Sequence, residues 1–548
     1  MSESTPELSV VIATHNRSEM LRRCLDSLRE QIAEPGSFEV VVANDGSGDD
    51  TAAVAESYEA PFRLHLLNLE QGGQAAAQNK AIAAAEGERC LFLDDDMIAS
   101  PQLIAAHLAA HRDDPMTLAV GQLTQQPVDG HDPYAHAFAR RWNARYDELA
   151  ERELDWADCY GGNLSAPRAT LLEIGGFATD LPSSEDLEVA LRLTRAGCTP
   201  RYLPDAHAVH DDQKPGATVL AHERRFGKFC AWFVKQQPDT RRRLIGWFND
   251  STPREVALRR LLLALRIAPQ RLVGLGGLLP SRRAHEVRFG FVSRYTFWLG
   301  VREAMDKEEW RQATHGVPVL MYHAFTDSGE RDRFVISKRS FARQMRLLKL
   351  LRYEVISLDD LAKALRDQRP LPRRAAVITI DDGYRDNLEI ATPILRRRRF
   401  PATVYLVSER IEGQNDWDDE GAVSGRPLLS LEQIERMRAD GVLFGAHTRS
   451  HCVLPELEDA AVGEQIGGSR RDLEATLGHP VETFTYPYGR YDERSVEAVA
   501  EAGFLAAATT WARPARLGDD PLRIPRIEIE GSDSLPRFLR KLTYGGAS

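Results

Sequence analysis

Three consecutive aspartates, Asp94-Asp95-Asp96, close a short β-rich run at residues 89–94. Residues two apart on a strand point the same way, so Asp94 and Asp96 are expected to address one ligand together. Hard carboxylate oxygens suit Mg²⁺ or Mn²⁺, which keeps water and substrate phosphate oxygens as its other ligands. Alone, such a run is often only a solvated turn. It has company in Asn44-Asp45-Gly46-Ser47 and in Ser184-Glu185-Asp186, the latter ahead of a helix whose Leu187, Ala190, Leu191 and Leu193 recur at helical spacing. In the second half, the apolar run Ala375–Ile380 leads into Asp381-Asp382-Gly383, and a β-like run at 442–446 leads into His447-Thr-Arg-Ser-His451. Two imidazoles four apart plus a distant carboxylate make a His₂Asp face for Zn²⁺ or another divalent metal, with positions left open for water and substrate.

The elements that must carry these groups alternate between β-rich and helical stretches. Leu8–Thr14 and residues 38–44, 62–69 and 89–94 read as strands, which predicts an α/β layer with parallel strands. Ser18 is placed as an N-cap before Leu21, Cys24, Leu25 and Leu28, so Asn16 lies at a strand-to-helix turn, where α/β folds bind ligands. A second α/β start is expected at 317–322, followed by a helix at 341–351, a strand near 355–357 and the strand Ala375–Ile380. The domain reading is therefore 1–240, a helical connector at 241–314, and 315–548.

Charge narrows the partners. The 548 residues carry 70 Lys plus Arg against 81 Asp plus Glu, a net charge of −11, which excludes a generally basic nucleic-acid binder. From Arg241 to His315, however, 15 basic residues face 7 acidic ones, a local charge of +8. That segment is a candidate for a membrane surface or an anionic ligand, with an interdomain connector bearing solvated arginines as the alternative. Its most apolar stretch is interrupted by Arg259, Arg260, Arg266 and Arg271 and cannot span a bilayer. Six cysteines without a C-x-x-C pair, and no basic-then-apolar run at residues 1–8, lead to the expectation of a cytoplasmic protein, peripheral at most at the inner face of the membrane.

Taken in order, Val10-Val11-Ile12-Ala13-Thr14-His15-Asn16-Arg17, Asn44-Asp45-Gly46-Ser47, Leu93-Asp94-Asp95-Asp96, Gly161-Gly162-Asn163 and Glu185-Asp186 resemble family 2 glycosyltransferases of the GT-A fold, over roughly residues 8–235. The resemblance implies a nucleotide-sugar site of Thr14, Asn16, Asp45, Asp94 and Asp95, and a metal held by Asp96 and His210. It also implies an acceptor side at Gly162, Asn163 and Glu185, with Asp186 as the catalytic base. Gln78 stands where the family often has arginine, so no arginine partner for the diphosphate is expected.

Thr379-Ile-Asp-Asp-Gly-Tyr384, His447-Thr-Arg-Ser-His451 and Thr485-Tyr-Pro-Tyr-Gly489 resemble polysaccharide deacetylases (carbohydrate esterase family 4), over roughly residues 316–545. The resemblance implies a distorted (β/α) barrel, Asp381 as general base, Asp382, His447 and His451 as metal ligands, and the Tyr488 N–H as an oxyanion donor. Two departures stand out: Tyr486 replaces the usual arginine, and no histidine follows His479 to serve as general acid. Resemblance to a subgroup, the poly-N-acetylglucosamine deacetylases, implies His323, in Leu320-Met-Tyr-His323, as the substitute acid, and Arg526 is the expected substitute partner of Asp381.

The expectation is an α/β bifunctional enzyme: an inverting GT-A transferase joined to a metal-dependent deacetylase. UDP-N-acetylglucosamine is the preferred donor because the transferred N-acetyl group would be the one removed. The acceptor is a glycan, a lipid-linked molecule or a small molecule. The alternative is an active transferase whose second domain only binds glycan.

Overall fold

The continuous apolar runs of the first two hundred residues become strands buried on both faces. The computed structural model of the protein describes residues 5–126, 133–181, 183–211, 215–246, 253–274, 282–330, 332–418 and 420–544. Within them β1 (Leu8–Thr14), β2 (Phe38–Asp45), β3 (Arg63–Leu69), β4 (Arg89–Leu93), β5 (Met97–Ala99), β6 (Thr117–Gln125), β7 (Asn163–Pro167) and β8 (Thr199–His210) form one sheet in the order β3-β2-β1-β4-β7-β6-β8-β5. The pairs around β1 are parallel, as the βα alternation predicts, and β7 runs antiparallel to β4 and β6. Strand ends therefore bring Thr14, Asp45 and Asp94–Asp96 to the same edge, where parallel α/β sheets hold ligands.

Two local expectations fail here. Ser18 is the first helical residue of Ser18–Arg29 and caps nothing; Arg17 holds the cap position, its N–H donating to Thr51 Oγ1 at 3.0 Å. Strand β4 stops at Leu93, so the aspartates lie in the tight turn before β5 and the two-residue alternation does not apply to them.

The second sheet is built from short parallel strands: β9 (Val319–Tyr322), β10 (Ala324–Thr326), β11 (Val335–Ser337), β12 (Glu354–Val355), β13 (Ala375–Ile380), β14 (Thr403–Leu406), β15 (Leu443–Ala446), β16 (Thr483–Thr485), β17 (Ala506–Ala508) and β18 (Ile527–Glu528). Its path is β17-β16-β15-β14-β13-β9-β18, with β12 beside β13 and β10–β11 as a separate pair. A bridge between Ala508 and Ile524 links the segment before β18 to β17, so the sheet curls towards closure. Fully buried Ile378, Ile380, Val404, Ala446 and Phe484 fill one side of it against the helices Lys338–Leu350 and Asp459–Leu477.

The basic segment is helical where described, and residues 247–252 and 275–281 of it lie outside the described residues. By packing it divides between two units, Met1–Trp232 with Leu261–Ala304, and Phe233–Arg260 with Met305–Ser548. In the first unit, helix Arg282–Ala304 crosses helix Gly216–Gln236 backbone to backbone: a Cβ on Gly227 would lie 2.1 Å from the Phe297 carbonyl, and one on Gly300 2.1 Å from that of Arg224. Among the described residues no helix is long and apolar enough to cross a membrane.

Candidate active sites

The first cavity, about 410 Å³, is lined by Thr14, His15, Arg17, Asp45, Gln74, the three aspartates and His210. Asp45 accepts hydrogen bonds from the N–H groups of Gly72 (2.7 Å) and Gly73 (2.9 Å), which fixes its carboxylate at the rim. His15 donates from Nδ1 to the Asp45 carbonyl at 2.7 Å and accepts at Nε2 from Asn16. Asn16 itself is exposed, bonds to the Gly48 N–H, and does not line the cavity; its neighbour His15 takes that position.

Because the aspartates sit in a turn, all three face inward. Arg17 bridges Asp95 (3.0 Å) and Asp96 (2.9 Å), while Asp94 accepts from Gln74 at 3.4 Å. Burial pushes the Asp95 carboxyl above its ordinary range, with Arg17 opposing. Arg17 thus places a cationic side chain in this cavity, whereas Gln78 is buried and does not line it. Asp96 Oδ1 is buried without a hydrogen-bond partner and stands 3.6 Å from His210 Nε2. A carboxylate oxygen and an imidazole nitrogen at that separation fit a divalent cation that takes its other ligands from a diphosphate.

At the start of helix Glu185–Arg195, Gly161 donates its N–H to Asp186 Oδ2 and Leu187 donates to Oδ1, both at 2.8 Å. Gly162 backs directly onto Asp94, so one short loop touches both carboxylates. Burial, with Glu185 adding to it, raises Asp186 to about 6 against the hydrogen bonds it accepts. Asn163 departs from expectation: it is fully buried and tied to His107 (2.9 Å) and the Ala206 carbonyl (2.7 Å), so it holds β7 against the neighbouring layers and has no surface with which to touch an acceptor.

The second cavity, about 540 Å³, gathers His323, Asp381, Asp382, His447, His451, Tyr488 and Arg526. Ligand atoms of Asp382, His447 and His451 lie within 4.8 Å of one another, the one such three-residue group among the described residues. The two Nε2 atoms are 3.6 and 3.4 Å from Asp382 Oδ1, and His451 Nδ1 is buried without a partner. His447 Nδ1 donates to the Thr485 carbonyl at 2.8 Å, which leaves Nε2 as the electron-pair donor. Burial first, then His451, pushes His447 down to about 4, so the ring is neutral at pH 7, as a ligand must be. The donor set fits a divalent ion such as Zn²⁺.

Asp381 is gripped by Arg526 through two hydrogen bonds of 2.6 and 2.7 Å, and Arg526 is anchored to the Thr509 carbonyl at 3.1 Å. Burial would raise Asp381, but Arg526, with His447 and His323, carries it below the ordinary carboxylate range. Tyr486, which stands where the resembled family usually has an arginine, is buried and donates to the Leu522 carbonyl. His323 leaves the end of β9 with its ring edge-on to Phe334 at 4.9 Å, and Asn387 Nδ2 donates to its carbonyl at 3.0 Å. Tyr488, at φ 57°, sets its ring against His451 at 4.6 Å.

Two neighbours of the site carry no sequence signal: Trp417 stacks on His451 at 4.7 Å, and Asp418 lines the cavity, yet neither belongs to a strand-end motif.

Residues 9–167 match the sequence model for Glycosyl transferase family 2, and residues 368–507 that for Polysaccharide deacetylase; the chain carries a domain of each kind, in that order. Validoxylamine A glucosyltransferase of Streptomyces hygroscopicus subsp. limoneus is 31% identical over 220 residues, 35% of this chain and 49% of that protein. Bacillus subtilis (strain 168) YxkH, named as a polysaccharide deacetylase, is 25% identical over 194 residues, 35% of this chain and 64% of that protein. The chain thus spans about half to two thirds of the length of these curated relatives. Among solved structures, the Streptococcus pyogenes deacetylase PplD in complex with acetate covers 42% of this chain and 98% of its own at 23% identity, with a TM-score of 0.37.

Proposed function

We propose that the two domains act in sequence on one sugar. The first transfers N-acetylglucosamine from UDP-N-acetylglucosamine to an acceptor hydroxyl with inversion, and the second hydrolyses the N-acetyl group just delivered. The observation that carries the reading is the pairing, in one chain, of the Asp94–Asp96 cavity with the cavity where Asp382, His447 and His451 converge.

In the transferase, a divalent ion at Asp96 and His210 would neutralise charge on the departing diphosphate. Asp186 takes the proton from the acceptor hydroxyl as its oxygen attacks the anomeric carbon, and a carboxyl raised to about 6 is well matched to that task near neutral pH. Arg17 gives a positive charge beside the aspartates, and Asp45 is available to the nucleobase.

In the deacetylase, a divalent ion at Asp382, His447 and His451 would polarise the acetyl carbonyl. Asp381, kept ionised by Arg526, accepts a proton from the attacking water. As the C–N bond breaks, His323 protonates the leaving amine, and the products are acetate and a free amino sugar. The Tyr488 N–H is the donor for the developing oxyanion.

The lack of any histidine after His479 favours a second reading, a silent domain that binds glycan, and His323 in the same cavity as Asp381 speaks against it. A lipid-linked acceptor is supported by helix Pro253–Leu265, which exposes Leu258, Leu261 and Leu265 beside exposed Arg254. The test is a donor screen with mass detection of both the glycoside and its deacetylated form. Transfer of a sugar without an N-acetyl group would overturn the coupling.

A further inference from the structure

We propose that an outer face of the second domain, made by helix Lys338–Leu350 and the arginine turn at residues 396–399, docks on an anionic lipid bilayer. The helix carries five basic residues and no acidic one, in a chain whose net charge is −11. Phe341, Gln344, Met345 and Leu348 turn into the core, which leaves Arg339, Arg343, Arg346 and Leu350, at steps of four, three and four, along one outward stripe. All four are exposed, Leu350 to 74%. Lys349 and Arg352 flank Leu350 and are exposed as well.

Arg396-Arg397-Arg398-Arg399 brings a second set of cations to the same place. Arg398 donates to the Ala342 carbonyl at 3.3 Å, which fastens the turn to the helix. Burial first, then Arg397 and Arg346, pulls Arg398 below the ordinary arginine range, so positive charges crowd one another across the two elements. Among the described residues, only Arg396 of this set has a carboxylate partner, Asp440 at 3.0 Å. Arginines elsewhere on the domain surface are matched, Arg410 by Asp416, Arg438 by Glu435 and Arg494 by Asp492. The imbalance is therefore local, and a layer of lipid phosphates is its complement.

Leu350 selects a bilayer over a dissolved polyanion. An apolar side chain between Arg346, Lys349 and Arg352 adds nothing to a contact with nucleic acid or an anionic glycan, but it suits the headgroup boundary, where cations meet phosphates and an apolar group enters beneath them. The placement leaves the catalytic cavity open. Arg352 precedes β12 and Arg397–Arg399 precede β14, whereas Asp381 follows β13 and His447 follows β15, and these strands run parallel. The cations thus lie at the end where strands enter the sheet, and the site at the end where they leave it. Stable attachment of a peripheral protein takes two signals, and the leucines of helix Pro253–Leu265 are the other. The face stands on its own residues and depends on neither enzymatic reading.

The experiment is co-sedimentation of the full chain with vesicles of phosphatidylcholine alone or mixed with phosphatidylglycerol, at low and at high salt. The unmodified protein should bind the mixed vesicles only, and more weakly as salt rises. Arg339→Glu with Arg343→Glu and Arg346→Glu should lower the partition coefficient by at least about 100-fold at low salt, at roughly fivefold per cation, with the melting temperature unchanged. Should that variant melt early, Arg397→Gln with Arg399→Asn reads the same face from the turn, with a loss of about 10-fold or more. Leu350→Ser leaves the charge alone and should weaken binding at every salt concentration. Arg438→Glu with Arg471→Glu and Arg494→Glu makes the same change in net charge at paired arginines, and should bind as the unmodified protein does. Unchanged binding in the first variant, equal loss in the paired set, or no binding of the unmodified protein at low salt overturns the face. Soluble polyphosphate bound as tightly as vesicles, with no effect of Leu350→Ser, would make the partner a dissolved polyanion and exclude the bilayer.

Discussion

Asp186 and Asp381 are both desolvated carboxylates, and their surroundings push them in opposite directions. Asp186 has no cation to offset burial and rises to about 6, whereas Arg526 outweighs burial at Asp381 and lowers it. Transfer should therefore fall away as pH drops through about 6, and a pH–rate profile for transfer should show that limb. Asp186→Asn should retain donor binding and lose transfer; residual turnover with collapsed donor affinity would move the base elsewhere. Stability has the opposite sign. A carboxyl raised in the folded state costs nothing below the unfolded value and destabilises as pH climbs through the folded one. Asp186→Asn should then melt higher than the unmodified protein at pH 7–8 and equally at pH 3.5. His323→Ala should slow deacetylation by about 10²–10⁴-fold with metal content intact, whereas His451→Ala should lose metal; equal metal loss in both would exclude the acid role. Asp45, Asp94, His210, His323, Asp381 and His447 were legible in the sequence because each lies at the end of a β-rich run. Arg17 and Trp417 were not, because their contacts lie 34 to 79 positions away, and Asp418 was not, because it sits in a loop held by local hydrogen bonds to Asn415.

At the scale of elements, apolar periodicity located the strands Leu8–Thr14, Phe38–Asp45, Arg89–Leu93, Ala375–Ile380 and Leu443–Ala446 to within a residue or two, because these are largely buried and bounded by polar turns. It failed at Asp94–Asp96, where a turn replaces the last strand residues, and at Ser18, where tertiary contacts from Asp49 and Thr51 displaced the cap. Residues 241–314 read as one helical connector, and by packing Phe233–Arg260 falls with Met305–Ser548 and Leu261–Ala304 with Met1–Trp232. Tyr295 and Trp298 are fully buried in helix Arg282–Ala304 and anchor it to the first unit. Its backbone-to-backbone crossing leaves no room at Gly300, so Gly300→Leu should destabilise by about 1–3 kcal/mol or more through overpacking. Thermal melting checks this; an unchanged melting temperature would mean that the crossing is looser than described. The exposed leucines of Pro253–Leu265 lead to a separate expectation. Leu261→Asp with Leu265→Asp should release the protein from anionic vesicles at low salt, and Arg254→Glu should weaken binding and leave what remains less salt-sensitive.

At the scale of the whole molecule, the two cavities are chemically complementary only if the transferred sugar carries an N-acetyl group, and this fixes an order of events that separate variants can resolve. On the proposed coupling the deacetylase consumes an amide that the transferase delivers, so blocking either step should leave a different species. Asp96→Asn removes the buried, unpartnered oxygen that faces His210 but touches nothing in the second cavity, so it should abolish transfer and still deacetylate the glycoside made by another preparation. Asp382→Asn removes the carboxylate that both imidazoles approach, at 3.6 and 3.4 Å, and should therefore empty the second metal site while leaving transfer intact. Supplied with UDP-N-acetylglucosamine and acceptor, it should accumulate the acetylated glycoside, and adding Asp96→Asn protein should convert that pool to the free amine. Excess chelator should stop both steps in the unmodified protein. The measurement is a time course by mass of donor, glycoside and deacetylated glycoside for each variant and for the mixture. Free glucosamine nucleotide appearing before any glycoside would reverse the order, placing deacetylation on the donor. Failure of the mixture to convert the accumulated glycoside, with acetate release from other oligomers intact, would mean that the two domains serve different sugars.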